Sequence, residues 1–395
     1  MKKFLKKALI LITIFGLVSL FGDIIYEGAR GINGQYLQIL GASVAVIGFF
    51  TGLGEFFGHA LRVVSGYISD KTKSYWLLTI LGYALLAFIP FLAFVGNWQL
   101  AIFFIIFERI GKAIRNPARD IIISYVAKKI GAGFGFGIHE FLDQIGALIG
   151  PLLISMAFLN FKTIGLVEYK YAYCLLFIPF LFLMGVLFFA YFLFKNSRIE
   201  KIDKNKEGRL PKIFWIYILF TFATTLSFIN FVIFGYYFKF NNVVPEAIIP
   251  LLYSLAMIVD AITAPLIGKA YDKLERNRNR SGLLLLILIP LLTLPIPFLV
   301  FVDKFIFIVF GILLFGIVIG SHETIMRAVI ANMVPISKRG SAYGIFTAFY
   351  GLALLIGGTL AGVFYEISIS YLFSFVFITQ IFALTIFYFL KKEIK

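Results

Sequence analysis

Cysteine, histidine and charge are all scarce in this chain of 395 residues. It has one cysteine, Cys174, and three histidines. A single cysteine excludes an intrachain disulfide and any cysteine-based metal site. No G-x-x-x-x-G-K-[ST] sequence occurs, so no phosphate cradle marks an ATP-driven machine. His139-Glu140 and His322-Glu323 both lack a second histidine four residues on, so the zinc-hydrolase pattern is missing. Neither a metal centre nor a cofactor is therefore expected. Charged residues make up only 14%, against about a quarter in a soluble domain.

What fills the chain is apolar. Hydrophobic residues reach 61%, with 48 Phe. Twelve apolar runs of roughly 20 residues recur, each long enough to cross a hydrocarbon core of about 30 Å as a helix. They lie near 9–38, 44–68, 75–96, 98–127, 134–159, 171–194, 213–238, 247–269, 282–302, 305–333, 340–365 and 369–390, and are spans 1 to 12 below. The start, "MKKFLKKALILITIFGLV", imitates a signal peptide but has no convincing small-residue cleavage site, and its apolar run leads into a long helix. It reads as an uncleaved first span.

The net charge of +16 is distributed by topology. Lys2, Lys3, Lys6 and Lys7 precede span 1, Lys71 and Lys73 follow span 2, and Lys128 and Lys129 follow span 4. Lys273, Arg276, Arg278 and Arg280 follow span 8, Lys338 and Arg339 follow span 10, and Lys391, Lys392 and Lys395 close the chain. The alternate connections hold few cations: Lys162, Lys170, Lys239 and Lys304. This is the positive-inside pattern, with both termini in the cytoplasm of a multi-pass cell-membrane protein. It leaves no basic surface for nucleic acid.

The longest polar segment, 195–212, sits mid-chain and divides the sequence into a six-helix bundle at 1–194, a cytoplasmic linker and a six-helix bundle at 213–395. "GYISDK" at 66–71 is echoed by "GKAYDK" at 268–273. "GIHEFLDQIGALIGP" at 137–151 is echoed by "GIFTAFYGLALLIGG" at 344–358. Internal duplication on this scale is a feature of secondary transporters.

On these motifs the chain resembles the major facilitator superfamily over essentially its whole length. Gly66, Asp70 and Lys71 match the family's loop motif, and Gly268, Asp272 and Lys273 match its weaker second copy. After Lys71 the match decays, with Lys73 in place of Gly and Ser74 and Tyr75 in place of basic residues. Gly137, Gly146, Gly150 and Pro151 keep the spacing of the family's antiporter motif, although Ile154 and Ser155 replace its closing glycines. The resemblance implies an all-α integral membrane fold of twelve transmembrane helices in two pseudo-symmetric bundles, working as a monomer by alternating access. It also implies a cytoplasmic gate, to which Asp70, Lys71, Arg115, Arg119 and Asp120 are assigned with the loop-motif glycines.

The charges inside the spans have a physical reading of their own. "ERIGKAIRNPARD" at 108–120 carries Glu108, Arg109, Lys112, Arg115, Arg119 and Asp120. At about 100° per residue they share an arc of roughly 140°, opposite Phe103, Phe107, Ile110, Ile114 and Ile121. A lipid-facing charge at mid-helix costs about 2.5–3.5 kcal/mol against a gain of about 0.3–0.6 from each Ile or Phe. The charged face must therefore look at other helices or at water. Pro117 is expected to disturb this helix.

Candidate partners are Asp23, Glu27 and Arg30 on span 1 and Glu55, His59 and Arg62 on span 2, both sets at i, i+4, i+7. Span 5 adds His139, Glu140 and Asp143, span 8 adds Asp260, and span 10 adds His322, Glu323 and Arg327. Asp23, Glu27, Arg30, Glu55, His59, Arg62, Arg109, Lys112, Glu140, Asp143, Asp260, His322 and Glu323 form the expected substrate and proton pathway. An acid whose partner changes between two conformations takes up and releases a proton; Asp23, Glu27, Glu140 and Asp143 are the candidates.

The leading expectation is a non-enzymatic carrier of a small solute driven by protons, by antiport on the span 5 motif. The alternative is proton symport of an organic anion drawn to the cations of span 4. A membrane-embedded enzyme would need catalytic groups clustered at one depth, and here they are spread. A channel is separated from a carrier by its lack of saturable counterflow.

Overall fold

The computed structural model describes residues 2–127, 132–195, 210–277, 281–335 and 338–392, and among them every regular element is helical. The helices are α1 Lys2–Arg30, α2 Val44–Thr72, α3 Tyr75–Phe94, α4 Trp98–Ala127, α5 Ala132–Phe158 and α6 Leu166–Phe194. The later ones are α7 Lys212–Phe240, α8 Ile248–Asn277, α9 Gly282–Val300, α10 Phe305–Met333, α11 Arg339–Ile367 and α12 Ile369–Lys392. Eleven of them are long and apolar enough to cross a membrane. The other, α4, has 30 residues but carries the charged face of 108–120. Most of the linker expected at 195–212 lies outside the described residues.

The chain forms two compact units. One is Met1–Gly41, Phe57–Ile202 and Glu246–Ser254, and the other is Ala42–Phe56, Asp203–Pro245 and Leu255–Lys395. Helix α2 thus begins in the second unit and continues in the first, and α8 does the reverse.

In the first unit α1 packs closely on α5. A Cβ on Gly146 would overlap the Leu20 carbonyl oxygen, and one on Gly150 would overlap that of Ile24. Between helices in lipid, where burying Leu against Leu gains little over Leu against acyl chains, such close approach supplies the contact energy. The second unit repeats the device: a Cβ on Gly357 of α11 would overlap the Leu226 carbonyl oxygen of α7. Large side chains such as Leu181, Phe182 and Phe192 on α6 and Ile378 and Phe382 on α12 are exposed, as lipid-facing surfaces require.

Three local features depart from the sequence reading. The first span was expected to run over 9–38, but α1 stops at Arg30, and Asn33–Ile39 is a separate short helix. There the Tyr36 hydroxyl donates to the carbonyls of Leu92 and Val95, at 2.8 and 3.1 Å, and fixes the new direction. The seventh span was expected to be continuous, but its helix pauses at 227–230. Asn230 caps the second segment by accepting from the Val232 N–H at 3.1 Å, a bond that competes with the helical ladder. Buried Gln380 of α12 serves the break, donating to the Thr224 carbonyl at 2.9 Å and the Ser227 hydroxyl at 2.8 Å. Lastly, α4 runs unbroken through Pro117. The proline leaves the Ala113 carbonyl without its i+4 donor, and the Ser65 hydroxyl of α2 replaces it at 2.6 Å.

Candidate functional site

The charged face of α4 is turned into the first unit: Glu108, Arg109 and Arg115 are 1%, 4% and 2% exposed. Their positions follow from helical spacing, which stacks 108, 112, 115 and 119 on one side. Glu108 is shared, with Oε2 3.5 Å from Arg109 Nε and Oε1 4.0 Å from Arg115 Nη2. Arg115 also lies over the Tyr83 ring of α3 at 4.7 Å.

Tyr26 of α1 organises the opposite wall. Arg109 donates to its hydroxyl and sits 4.4 Å from its ring centre. The Lys112 ammonium is 3.9 Å from the same centre, and the Arg30 guanidinium 5.5 Å. A buried tyrosine with three cations about its ring offers cation–π stabilisation where water is excluded. The next residue, Glu27, accepts from the Tyr253 hydroxyl of α8 at 2.6 Å and pairs with Arg30 at 3.8 Å.

Near the middle of α1 and α5, the Ser19 hydroxyl donates to Asp143. Arg119 donates to Ser19 at 3.4 Å and pairs with Asp120 at 2.9 Å. That leaves Asp23. Among the described residues it has no hydrogen-bond donor and no cation within 4 Å, and Lys112 has no carboxylate within that distance. The charges that act on Asp23 from its neighbours are Asp143 on α5, Lys112 and Arg115 on α4, and Glu27 on its own helix.

Other expected residues stand apart from this cluster. Glu55 is buried in the segment of α2 that belongs to the second unit, while His59 and Arg62 are half-buried in the first. Glu140 is exposed and His139 buried. Asp70 and Lys71 lie exposed at the end of α2, and Gly66 packs on Pro117, 3.7 Å from a Cβ placed on the glycine. In the second copy, Gly268 packs on Thr324 at 3.2 Å, and Asp272 and Lys273 are exposed. Of the span 5 motif, Gly146, Gly150 and Pro151 face α1 and the turn after it; the surroundings of Gly137 and the side chain of Arg327 lie outside the described residues.

The second unit has a different interior. Asp260 lies against Gly320, with Oδ1 2.9 Å from a Cβ placed there. His322 Nδ1 is 3.1 Å from the Tyr350 hydroxyl, and its ring centre is 5.1 Å from that of Phe228. Glu323 is exposed. Around them run aromatic contacts: Phe228 stacks on Phe315 at 5.1 Å, and Phe315 meets Phe234 at 5.6 Å.

Two organising residues escaped the sequence reading. Tyr26 lies between Asp23 and Arg30 on the same helical face, so its position was a usable signal. Tyr253 is one of 20 tyrosines and nothing in its neighbourhood singles it out.

Comparison with known proteins adds the wider context. The Major Facilitator Superfamily sequence profile matches residues 9–328 and 213–395. A Mycobacterium tuberculosis protein, described as uncharacterized, is 35% identical over 387 residues, covering 94% of this chain and 91% of its own. A Methanocaldococcus jannaschii protein described as an MFS-type transporter is 29% identical over 369 residues, covering 90% and 88%. Among solved structures, a bacterial homologue of the human lysosomal transporter Spinster superposes with a TM-score of 0.75 at 13% identity, covering 96% of each chain.

Proposed function

The chain belongs to the major facilitator superfamily, and on that premise we propose that it is a proton-coupled antiporter exporting a small solute across the cell membrane. Both termini are cytoplasmic, and the working unit is a monomer. The α1–α4–α5 cluster is the substrate and proton pathway. Gly66, Asp70, Lys71, Arg115, Arg119 and Asp120, with Gly268, Asp272 and Lys273, form the cytoplasmic gate.

One observation carries this reading: of the acids in the cluster, only Asp23 has no partner among the described residues. Glu27 is held by Tyr253 and Arg30, and Asp143 by Ser19. Asp23 is half-buried, with no hydrogen-bond donor and no cation within 4 Å among the described residues, so its carboxylate is open to exchange a partner. Asp23 is therefore the proton carrier, and solute and proton bind it alternately. The partial antiporter motif on α5 supports export.

The test is proton movement in proteoliposomes carrying an interior pH dye, with solute added outside under an imposed pH gradient. Solute-dependent proton flux that is lost in Asp23→Asn and kept in Glu366→Gln, an exposed acid outside the cluster, is expected. Equal loss in both variants, or none in Asp23→Asn, rejects Asp23 as the carrier. A second reading, symport of an organic anion, is favoured by Lys112, which has no carboxylate within 4 Å among the described residues. It predicts solute and proton moving in the same direction.

A further inference from the structure

Resting on that reading, we infer that the solute is a zwitterion of the α-amino-acid type, its carboxylate on Lys112 and its ammonium on Asp23 above the Tyr26 ring. The argument begins with elimination. Glu108 faces Arg109 and Arg115, Glu27 faces Arg30 and Tyr253, Asp143 faces Ser19, and Arg119 faces Asp120. Within this cluster, the two charges with neither an ion-pair nor a hydrogen-bond partner among the described residues are Asp23 and Lys112, one of each sign, on helices that pack against each other.

They do not close on each other. A lysine stem is long and flexible, so reach is no obstacle. Lys112 instead rests over Tyr26, whose ring is held by Arg109 at the hydroxyl. A cation–π contact is a weaker hold than a charge-assisted hydrogen bond to carboxylate, so an incoming carboxylate displaces it. Asp23 lies three residues before Tyr26 on the same face of α1, a spacing that sets the two Cβ atoms about 5–6 Å apart. That spacing suits a solute whose two charges are separated by a single carbon.

Charge balance supports the same class. An amine alone would neutralise Asp23 and leave Lys112 without a counter-charge. An anion alone would satisfy Lys112 and strand Asp23. Uncompensated charge in such surroundings is costly, and only a solute with both signs removes both defects. It also explains antiport: the solute ammonium and the proton compete for one carboxylate.

The experiment uses the full-length protein in detergent and follows its melting temperature with the individual L-amino acids as probes. For each stabilising amino acid, the amine lacking the carboxylate and the acid lacking the amino group are compared. The zwitterion is expected to bind about 10- to 100-fold more tightly than either analogue, the loss of one charged hydrogen bond. Lys112→Gln should abolish the preference over the amine, and Asp23→Asn the preference over the acid. A merely structural role would weaken all three probes together, which overturns the proposal. It also fails if no amino acid stabilises the protein, or if either single-charge analogue matches the zwitterion in the wild type; that comparison needs no variant to fold. The transport reading fails separately, when a stabilising amino acid shows no counterflow in proteoliposomes. A solute of one charge sign that moves with proton exchange keeps that reading and sinks the zwitterion.

Discussion

The two compact units share a packing code and differ in what they enclose. Gly150 meets the Ile24 carbonyl in the first, and its repeat counterpart Gly357 meets the Leu226 carbonyl in the second. Gly66 rests on α4 and Gly268 on α10. Yet α1 and α4 present Asp23, Glu27, Glu108, Arg109 and Lys112, whereas α7 and α10 present Phe228, Phe231, Phe234 and Phe315 to one another. The difference teaches that close helix approach constrains backbone positions only. The side chains between those contacts are free to diverge, and here one repeat took the charges and the other the aromatic rings.

The largest expected effect breaks the shared part. Gly150→Leu and Gly357→Leu each drive a side chain into a carbonyl on the facing helix, where the backbone cannot yield. Both should abolish monodisperse protein in fluorescence-detected size exclusion. If only Gly150→Leu does so, the glycine contacts are not equivalent and the repeat is one of sequence alone.

Next in size is a change that should separate the units. Glu108→Gln keeps the shape but removes the carboxylate between two buried guanidinium groups, a loss of about 3–5 kcal/mol. Thermal unfolding in detergent should show a large drop in midpoint, rescued in part by Arg115→Met. A midpoint within a degree or so of wild type would mean that water, not Glu108, compensates Arg109 and Arg115.

A smaller effect tests the proline on α4. Ser65→Ala leaves the buried Ala113 carbonyl without a donor, a cost of about 1–3 kcal/mol. In a Pro117→Ala background the helix supplies its own N–H, so the same serine substitution should cost much less. Additive effects in this double-mutant cycle would show that the hydroxyl does not act on the proline's defect. The second unit offers a control, since the position matching Ser65 is Ile267.

How much of this was legible beforehand depends on how each feature is encoded. Membrane-crossing runs are long and redundant, so the helices at 98–127 and 369–390 agree with the structure within a few residues. The inward charged face of α4 was legible because its lipid-facing alternative is too costly. The pause at 227–230 was not, because Ser227 and Asn230 are two polar residues inside an apolar run, and Gln380, the partner of Ser227, is 153 positions away in the chain. The same distance hid Tyr253, which reaches Glu27 across 226 residues. The hydroxyl that answers Pro117 was hidden for a related reason, since it comes from another helix. Which acid stayed unpartnered was equally hidden, since Asp23, Glu27 and Asp143 are alike in sequence and differ only in what faces them.

The smallest effect probes the aromatic side. The Tyr237 hydroxyl donates to Asp303 at 3.4 Å while its ring packs edge-on to Phe301 at 4.9 Å. Tyr237→Phe removes the long hydrogen bond and keeps the ring, so the expected cost is about 0.5–1.5 kcal/mol. Removing the ring in Tyr237→Ala adds the lost aromatic packing and should cost about 3–5 kcal/mol, as deletion of a large buried side chain does. Should Tyr237→Phe prove as damaging as Glu108→Gln, the second unit would depend on polar pairing as much as the first. The two midpoints, measured in one detergent, decide whether the units differ in what holds them together or only in which side chains they display.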